Sequence, residues 1–410
     1  MRLSRKYYIF IIALYAFALQ FGIMKRIGAF QYWDEFYAFL CIPLIIVTFN
    51  GKIKIKKKDK YINRLIIAIF LFVLVGVLSN YIYKYQNPIV VLQDIFINLK
   101  FFMGILTTYF IFSKFELNKY QKRIGFHVKL LITLYFTLTI LNKYKHIFET
   151  ADVRFGLEAE KIFFNHPTEL ASATFFLLLM LVITDKNVKD NLLFVGMTVI
   201  IILLTLRFKA IAAVMIFIYL YIILMFTKKI RIIYLLPLIP FVILIGGNEF
   251  YFYFFGENTM DMARGALSFT SLIIAKDTFP FGTGFGTFAS WMSGVHYSPV
   301  YKLYGIDNVY GLTEDWPQLV SDVFWPMILA QNGIIGLALY IIIIYYLFML
   351  IIRYSKNEKK MLLVGLGALS YLLVSSIAES AFVNPLSVSL AFIIGICICD
   401  GKQKERDINI

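Results

Sequence analysis

The sequence predicts an all-α, polytopic integral membrane protein. Of its 410 residues, 60% are hydrophobic and only 16% are charged. Its apolar runs repeatedly reach the roughly 20 residues that an α-helix needs to cross about 30 Å of hydrocarbon. The net charge of +15 comes mainly from short basic segments between these runs, a pattern that membrane topology explains better than nucleic-acid binding. We therefore expect membrane lipids, and no nucleic acid, among its partners.

About 12 apolar runs are expected to form transmembrane helices. The first follows Arg2, Arg5 and Lys6 like a signal sequence, but its small-residue segment at 16–18 lies inside the run, so we expect an uncleaved span. An even number of spans places both termini on the same side of the membrane. The predicted spans are residues 7–24, 36–49, 65–80, 92–112, 124–141, 163–184, 191–206, 210–226, 230–247, 322–350, 361–379 and 383–399.

The basic residues predict the orientation of these spans. The connecting segments on the side of the termini hold roughly 25 of the 40 Lys and Arg residues, which by the positive-inside rule places both termini in the cytoplasm. The clearest of these segments, residues 52–60, carries six lysines. The opposite side of the membrane, which carries fewer cations, is therefore expected to be extracytoplasmic.

One large polar segment, residues 248–321, then lies outside the membrane, because backbone polar groups cannot be left unpaired in lipid. We expect this extracytoplasmic loop to carry the active site, while residues 1–410 form a single transmembrane domain. Residues 261–277 of the loop are predicted to form a short helix, and a glycine cluster follows at 282–286. The loop contains no cysteine, so we expect neither a disulfide framework nor a thiolate metal site.

Cations on the outward side are the candidates for binding an anionic substrate. Arg207 and Lys209 form a short turn between two spans, where the positive-inside bias makes cations least expected, and Arg264 lies on the predicted loop helix. The positions of Arg207 and Lys209 are explained equally well if these side chains reach lipid headgroups. Arg264 could instead form a surface ion pair with Asp261. If the three converge, they would suit a diphosphate, to which Arg offers a bidentate fork and Lys a point charge.

Candidate acid and base residues flank these cations. Asp322, at the junction between the loop and the tenth span, would act as a base or as a helix N-cap. Glu314, Asp315, His166 and Glu169 compete with it for the role of the base. His166 and Glu169 share one face at the head of the sixth span, where they would cap the helix or line a polar cavity. The glycine cluster at 282–286 would form a tight turn, or its backbone N–H groups would approach an anion. The predicted cavity lining comprises His166, Glu169, Gly284, Gly286 and Tyr310.

Three further ionisable residues lie within or at the boundary of predicted spans. Asp94 and Lys100 occur in the fourth span, and Glu379 ends the eleventh. Such groups are costly in lipid and usually face an interior cavity. We therefore expect these side chains to point into the helix bundle.

Several short motifs follow one another in the chain: His166-Pro167, Leu206-Arg207-Phe208-Lys209-Ala210, Arg264, Asp277-Thr278-Phe279-Pro280-Phe281-Gly282-Thr283-Gly284-Phe285-Gly286-Thr287-Phe288, Asp322-Val323-Phe324-Trp325-Pro326 and Asn332-Gly333-Ile334-Ile335-Gly336. This ordered set resembles the O-antigen polymerase and O-antigen ligase family, the bacterial Wzy-type polymerases and their ligase relatives. The resemblance spans about residues 163–336. The remaining spans match the family only in hydrophobicity and number.

The resemblance implies a metal-independent, inverting glycosyltransferase that needs no cofactor. It would transfer a glycan from an undecaprenyl-diphosphate donor to a sugar hydroxyl on the outer face of the bacterial cytoplasmic (inner) membrane. Arg207 and Arg264 match the family's arginines that are assigned to the donor diphosphate. The external histidine of the ligases, typically followed by Asn, has no counterpart here, since His296 is followed by Tyr297. This departure favours a polymerase over a ligase.

The function expected from the sequence is therefore a repeat-unit polymerase for O-antigen, capsule or exopolysaccharide. Its partners would be an undecaprenyl-diphosphate-linked oligosaccharide and a chain-length regulator protein. A ligase-type transferase acting on another acceptor is one alternative, and a polysaccharide transporter or flippase is another. Transporters often carry Gly- or Pro-broken spans at matching positions in two halves, whereas the polar features here cluster in one loop and its flanks.

Overall fold

The computed structural model describes residues 4–20, 22, 28–47, 60–154, 156–185, 191–227, 256, 259–355 and 358–408. Within these ranges the fold is all-α, as the sequence predicts, apart from one antiparallel hairpin of β1 (Val153–Arg154) and β2 (Leu157–Glu158). Short 3-10 turns occur at Gly28–Tyr32 and Thr259–Asp261. The α-helices are α1 (Arg5–Leu19), α2 (Trp33–Phe39), α3 (Cys41–Val47), α4 (Lys60–Tyr83), α5 (Pro88–Phe112), α6 (Leu117–Lys145), α7 (Pro167–Thr184), α8 (Leu192–Leu204), α9 (Phe208–Phe226), α10 (Ala263–Asp277), α11 (Trp291–Val295), α12 (Pro299–Leu303), α13 (Trp325–Ser355), α14 (Lys359–Ser375) and α15 (Pro385–Ile408).

Seven helical segments in the described ranges are long and apolar enough to cross a membrane: Phe30–Val47, which combines α2 and α3, together with α4, α5, α6, α7, α9 and α13. Helix α8 and residues Pro385–Gly401 of α15 are shorter apolar helices. The chain is therefore a membrane protein with several spanning helices, as expected. Residues 230–247, predicted as the ninth span, lie outside the described residues, and the total of about 12 stays a prediction.

Helix α7 forms the centre of the bundle. Apolar residues cover its whole circumference, and nearly every residue from Leu170 to Thr184 is buried, as is typical of a helix surrounded by other helices. Helix α6 packs along α7, and other extensive helix pairs of the bundle include α4 with α13, α5 with α15, and α9 with α14. The buried aromatic side chains of Phe175 and Tyr371 join α7 to α14, with their ring centroids 4.6 Å apart.

A kink in α13 receives the glycine-rich segment of the loop. Gly333 has φ +64°, which interrupts the helix and leaves the carbonyls of Ala330 and Gln331 for other donors. The backbone amide of Thr283 donates to Ala330 at 2.9 Å, and that of Gly284 donates to Gln331 at 2.7 Å. The loop therefore completes the hydrogen bonds that the kink opens, which a membrane interior requires of any irregular backbone.

The same loop also contacts α4 and α5. The Asn80 side chain accepts from the Phe285 amide at 2.8 Å and donates to the Phe285 carbonyl at 3.0 Å, and Asp94 accepts from the Gly286 amide at 2.8 Å. Because Gly284 has φ +98° and a Cβ there would lie 2.4 Å from Asn80, only glycine fits without displacement. The polar residues of α4 and α5 thus hold the loop against the helices.

Candidate functional site

Polar residues converge where several helices begin or end on one side of the bundle. His166 and Arg207 are the N-cap residues of α7 and α9, and Arg264 lies in the first turn of α10. Helix N-termini carry partial positive charge, so their meeting favours anions. We call this group the helix-end cluster: Asp152, His166, Arg207, Lys209, Arg264, Asp322 and Glu379.

Arg207 pairs with an acid from the segment between α6 and α7. Its Nη2 lies 2.5 Å from Asp152 Oδ1, and the Arg207 side chain is buried while Asp152 is partly exposed. Arg154 also bonds Asp152, at 2.6 Å. Burial opposes ionisation of Asp152, but the hydrogen bond from Arg154 and the charges of both arginines lower its pKa to about 2. Asp152 is therefore a fixed negative charge beside Arg207 at any physiological pH.

Lys209 pairs with Glu379, which follows the C-terminal end of α14. Both side chains are 19% exposed. The other carboxylate oxygen of Glu379, Oε1, is buried and has no hydrogen-bond partner among the described residues. One carboxylate oxygen of Glu379 therefore pairs with Lys209, and the other can accept a further hydrogen bond.

Arg264 bonds Asp322 across the loop, with Nη2 3.1 Å from Oδ2. The two side chains are 29% and 31% exposed. Burial raises the pKa of Asp322, while Arg264 and, more weakly, Lys209 oppose that rise. Helix α13 begins three residues later, at Trp325, so Asp322 holds Arg264 and is not the N-cap of that helix.

His166 and Glu169 organise the start of α7. The Thr168 amide donates to His166 Nδ1 at 3.2 Å, and the Asn165 amide donates to Glu169 Oε2 at 3.0 Å, so both side chains cap the helix. Burial and the nearby positive charges of Arg207 and Lys209 lower the pKa of His166 to about 4. His166 is therefore a neutral imidazole within the electrostatic reach of the cluster.

The remaining predicted residues lie elsewhere in the loop. Gly284 and Gly286 are buried against α4 and α5, and their amides already have protein acceptors. These two glycines form a tight turn. Because their N–H groups already donate to protein acceptors, they are not available to bind an anion. Tyr310 is 71% exposed and contacts Trp316 in a tilted arrangement, with ring centroids 4.6 Å apart.

Glu314 and Asp315, the other predicted catalytic acids, belong to this outer part of the loop as well. Glu314 pairs with Lys302, and both side chains are 57% exposed; Asp315 is also exposed. The helix-end cluster thus unites Arg207, Lys209, Arg264 and Asp322, whereas Glu314 and Asp315 are exposed to solvent in another part of the loop.

Sequence reasoning missed the acids that balance Arg207 and Lys209. Asp152 is separated from Arg207 by 55 positions and Glu379 from Lys209 by 170, so no local pattern joins them. A weak signal existed in each case. Outward cations that are largely shielded from water need counter-charges, and the sequence marks Glu379 as an ionisable residue at the end of a span.

The cluster combines three cations with three carboxylates at the ends of helices. Such an arrangement can bind a phosphate-containing anion by exchanging carboxylates for phosphate oxygens. No group of three or more His, Cys, Asp or Glu side chains in the described ranges is arranged to hold a metal. No protein-family model and no curated protein matches the chain.

Proposed function

We propose that the protein is a polysaccharide repeat-unit polymerase of the Wzy type, acting on the outer face of the bacterial cytoplasmic membrane through about 12 spans with both termini in the cytoplasm. It transfers a glycan from an undecaprenyl-diphosphate donor to a sugar hydroxyl of a lipid-linked oligosaccharide. One observation carries this proposal: Arg207 and Lys209 at the start of α9 converge with Arg264 and Asp322, which lie more than 50 residues further along the chain, in one cluster.

The three cations would bind the donor diphosphate. Arg207 and Lys209 project from the start of α9, whose positive end faces the same space, and Arg264 approaches from α10. Each cation is at present held by a carboxylate, so the diphosphate takes the place of an existing partner. Charge-assisted hydrogen bonds of this kind stabilise the negative charge that develops on a leaving diphosphate.

Asp322 would act as the base in an inverting displacement. The acceptor hydroxyl attacks the anomeric carbon, the bond from that carbon to the phosphate oxygen breaks, and its electron pair leaves with the diphosphate. The hydroxyl proton passes to Asp322 Oδ2, which Arg264 releases when it engages phosphate. Because Asp322 is bonded to Arg264 at 3.1 Å, donor binding and exposure of the base are coupled.

The proposal is tested with Arg207→Ala and Arg264→Ala. Purified variants are supplied with lipid-linked repeat units in detergent, and polymer is resolved by gel. Loss of one charged contact to the transition state is expected to lower the rate by about 10²- to 10³-fold. Lys at either position should restore only part of the activity, because Lys lacks the bidentate fork. The matched control is Arg353→Ala, which removes an arginine from the last turn of α13, at the end of that helix opposite Asp322, and should leave polymerisation unchanged.

The detergent assay also separates polymerisation from transport. A micelle has no two sides, so product formed there cannot result from moving substrate across a membrane. Unchanged polymer in both Ala variants would reject the site, and the absence of polymer with the native protein would reject the function.

Topology is tested independently with reporter fusions. A reporter after Lys58 should be cytoplasmic and one near Ser298 should be outside, because of the charge distribution along the chain. If both report the same side, the external placement of the helix-end cluster is wrong.

A further inference from the structure

A second charged cluster lies inside the helix bundle. Lys100 Nζ is 2.7 Å from Asp34 Oδ2 and 3.6 Å from Glu35 Oε1. Lys100 is 3% exposed and Asp34 is completely buried. We call Asp34, Glu35 and Lys100 the membrane triad.

The triad joins two helical segments that are long and apolar enough to cross a membrane. Lys100 is the central residue of the 25-residue helix α5, so about 18 Å of helix extends on either side of it at 1.5 Å per residue. The hydrocarbon layer is about 30 Å thick. Tyr37 bonds Thr108 at 2.8 Å, which shows that α2 continues along the same half of α5. Lys100 is therefore far from both ends of α5, whereas Asp34 and Glu35 lie in the first turn of α2, near the start of the Phe30–Val47 segment.

The charges of the triad do not balance. Two carboxyl groups face one ammonium group, and an uncompensated charge among buried side chains is strongly unfavourable. Among the described residues, α1 contributes the neutral amide of Gln20, and the turn Gly28–Tyr32 has no charged residue. Helix α3 contributes only the Cys41 thiol as a titratable group, and α15 packs on α2 through Phe392 beside Tyr37.

The hydrogen bonds of the triad are incomplete as well. Gln20 is 2% exposed and donates from Nε2 to Asp34 Oδ1 at 2.6 Å, but its Oε1 has no partner. Glu35 Oε2 is also buried without a partner. A proton on one carboxyl group supplies both a positive charge and a hydrogen-bond donor.

We propose that Asp34, Glu35 and Lys100 form an intramembrane proton-binding site, with the proton carried by the carboxyl group of Glu35. Lys100 neutralises Asp34, its closer partner, and leaves Glu35 to bind the proton. About a third of the Glu35 side chain is exposed, and because Glu35 belongs to a segment apolar enough to cross a membrane, we expect that surface to be reached from lipid. A site of this kind is what proton-coupled movement across a membrane requires, and it is independent of the proposed glycosyl transfer.

A hydrophobic carbodiimide provides the test, because it modifies protonated carboxyl groups that it reaches from lipid. The native protein in lipid nanodiscs is treated across a pH series, and the modified peptide is identified by mass spectrometry. We expect modification of Glu35 that falls about tenfold per pH unit above the pKa of the site and does not change when Na⁺ replaces K⁺. Glu35→Gln should abolish it. Glu116→Gln, an exposed acid before α6, should leave it unchanged.

Two results would overturn the proposal. One is the absence of modification at Asp34 and Glu35 at every pH. The other is protection by Na⁺ at constant pH, which would mean that a metal cation supplies the missing charge.

A variant of Lys100 sharpens the test. Lys100→Gln leaves two carboxyl groups to be neutralised, so modification should extend to Asp34 and persist to higher pH. An unchanged pattern in a variant that still elutes as the native species would also contradict the proposal.

Discussion

The helix-end cluster and the membrane triad use the same side chains in different surroundings. At the helix ends, three cations pair with three carboxylates, and Arg264 and Asp322 each retain about 30% exposure. In the triad, one cation serves two carboxyl groups and is 3% exposed. Where water or a ligand can enter, carboxylates are exchangeable counter-ions. Where neither can, a proton bound to a carboxyl group supplies the missing charge.

The largest expected effect tests the catalytic side of this comparison. Asp322→Asn keeps the shape of the side chain but cannot accept the hydroxyl proton, so the polymerisation rate should fall by about 10²- to 10⁴-fold. A base must be ionised, and burial raises the pKa of Asp322. The native rate should therefore decrease as pH falls through that raised pKa. The variant should lack this acid limb, measured as polymer formed against pH; a native-like profile would assign the base elsewhere.

The second prediction compares two lysines. Lys100→Met leaves the buried Asp34 carboxylate without its cation and should lower the free energy of unfolding by about 3 to 5 kcal/mol. Lys209→Met removes a partly exposed pair and should cost only about 0 to 1 kcal/mol, while it reduces donor binding. Unfolding midpoints in detergent measure both changes. Equal losses of stability would show that the two environments do not differ as described.

The third prediction disturbs the helix-end cluster without changing its charges. Gly284→Ala places a Cβ 2.4 Å from Asn80 at φ +98°, and strain of this kind costs about 1 to 3 kcal/mol. Because the loop connects α10 to the kink of α13, we expect lower polymerisation along with lower stability. Gly196→Ala in α8, where a Cβ meets open space, is the control and should retain both properties.

The smallest effect is expected in the outer loop. Glu314→Gln removes an exposed pair with Lys302, so the free energy of unfolding should change by less than about 0.5 kcal/mol. Polymer yield should stay close to that of the native protein in the same gel assay. A large loss of polymer would move the catalytic acid from the helix-end cluster to Glu314 and its neighbour Asp315.

The sequence by itself determined the broad architecture. Apolar runs predict spanning helices because the bilayer requires a fixed length of hydrocarbon-compatible helix. The loop helix expected at 261–277 occurs at Ala263–Asp277. The glycine cluster is used as a tight turn, one of the two uses that the sequence left open. The predicted function and the roles of the site residues stay predictions.

Only the tertiary structure decided which charges meet. Arg264 and Asp322 are 58 positions apart, and Lys100 and Asp34 are 66 apart. Hydropathy is a local property that places each residue at a depth and on a side of the membrane. Helix packing then selects which residues at equal depth become neighbours. The kink at Gly333 shows the same limit, because its carbonyls are satisfied by a loop some 50 residues away in sequence, a distance that no local pattern reports.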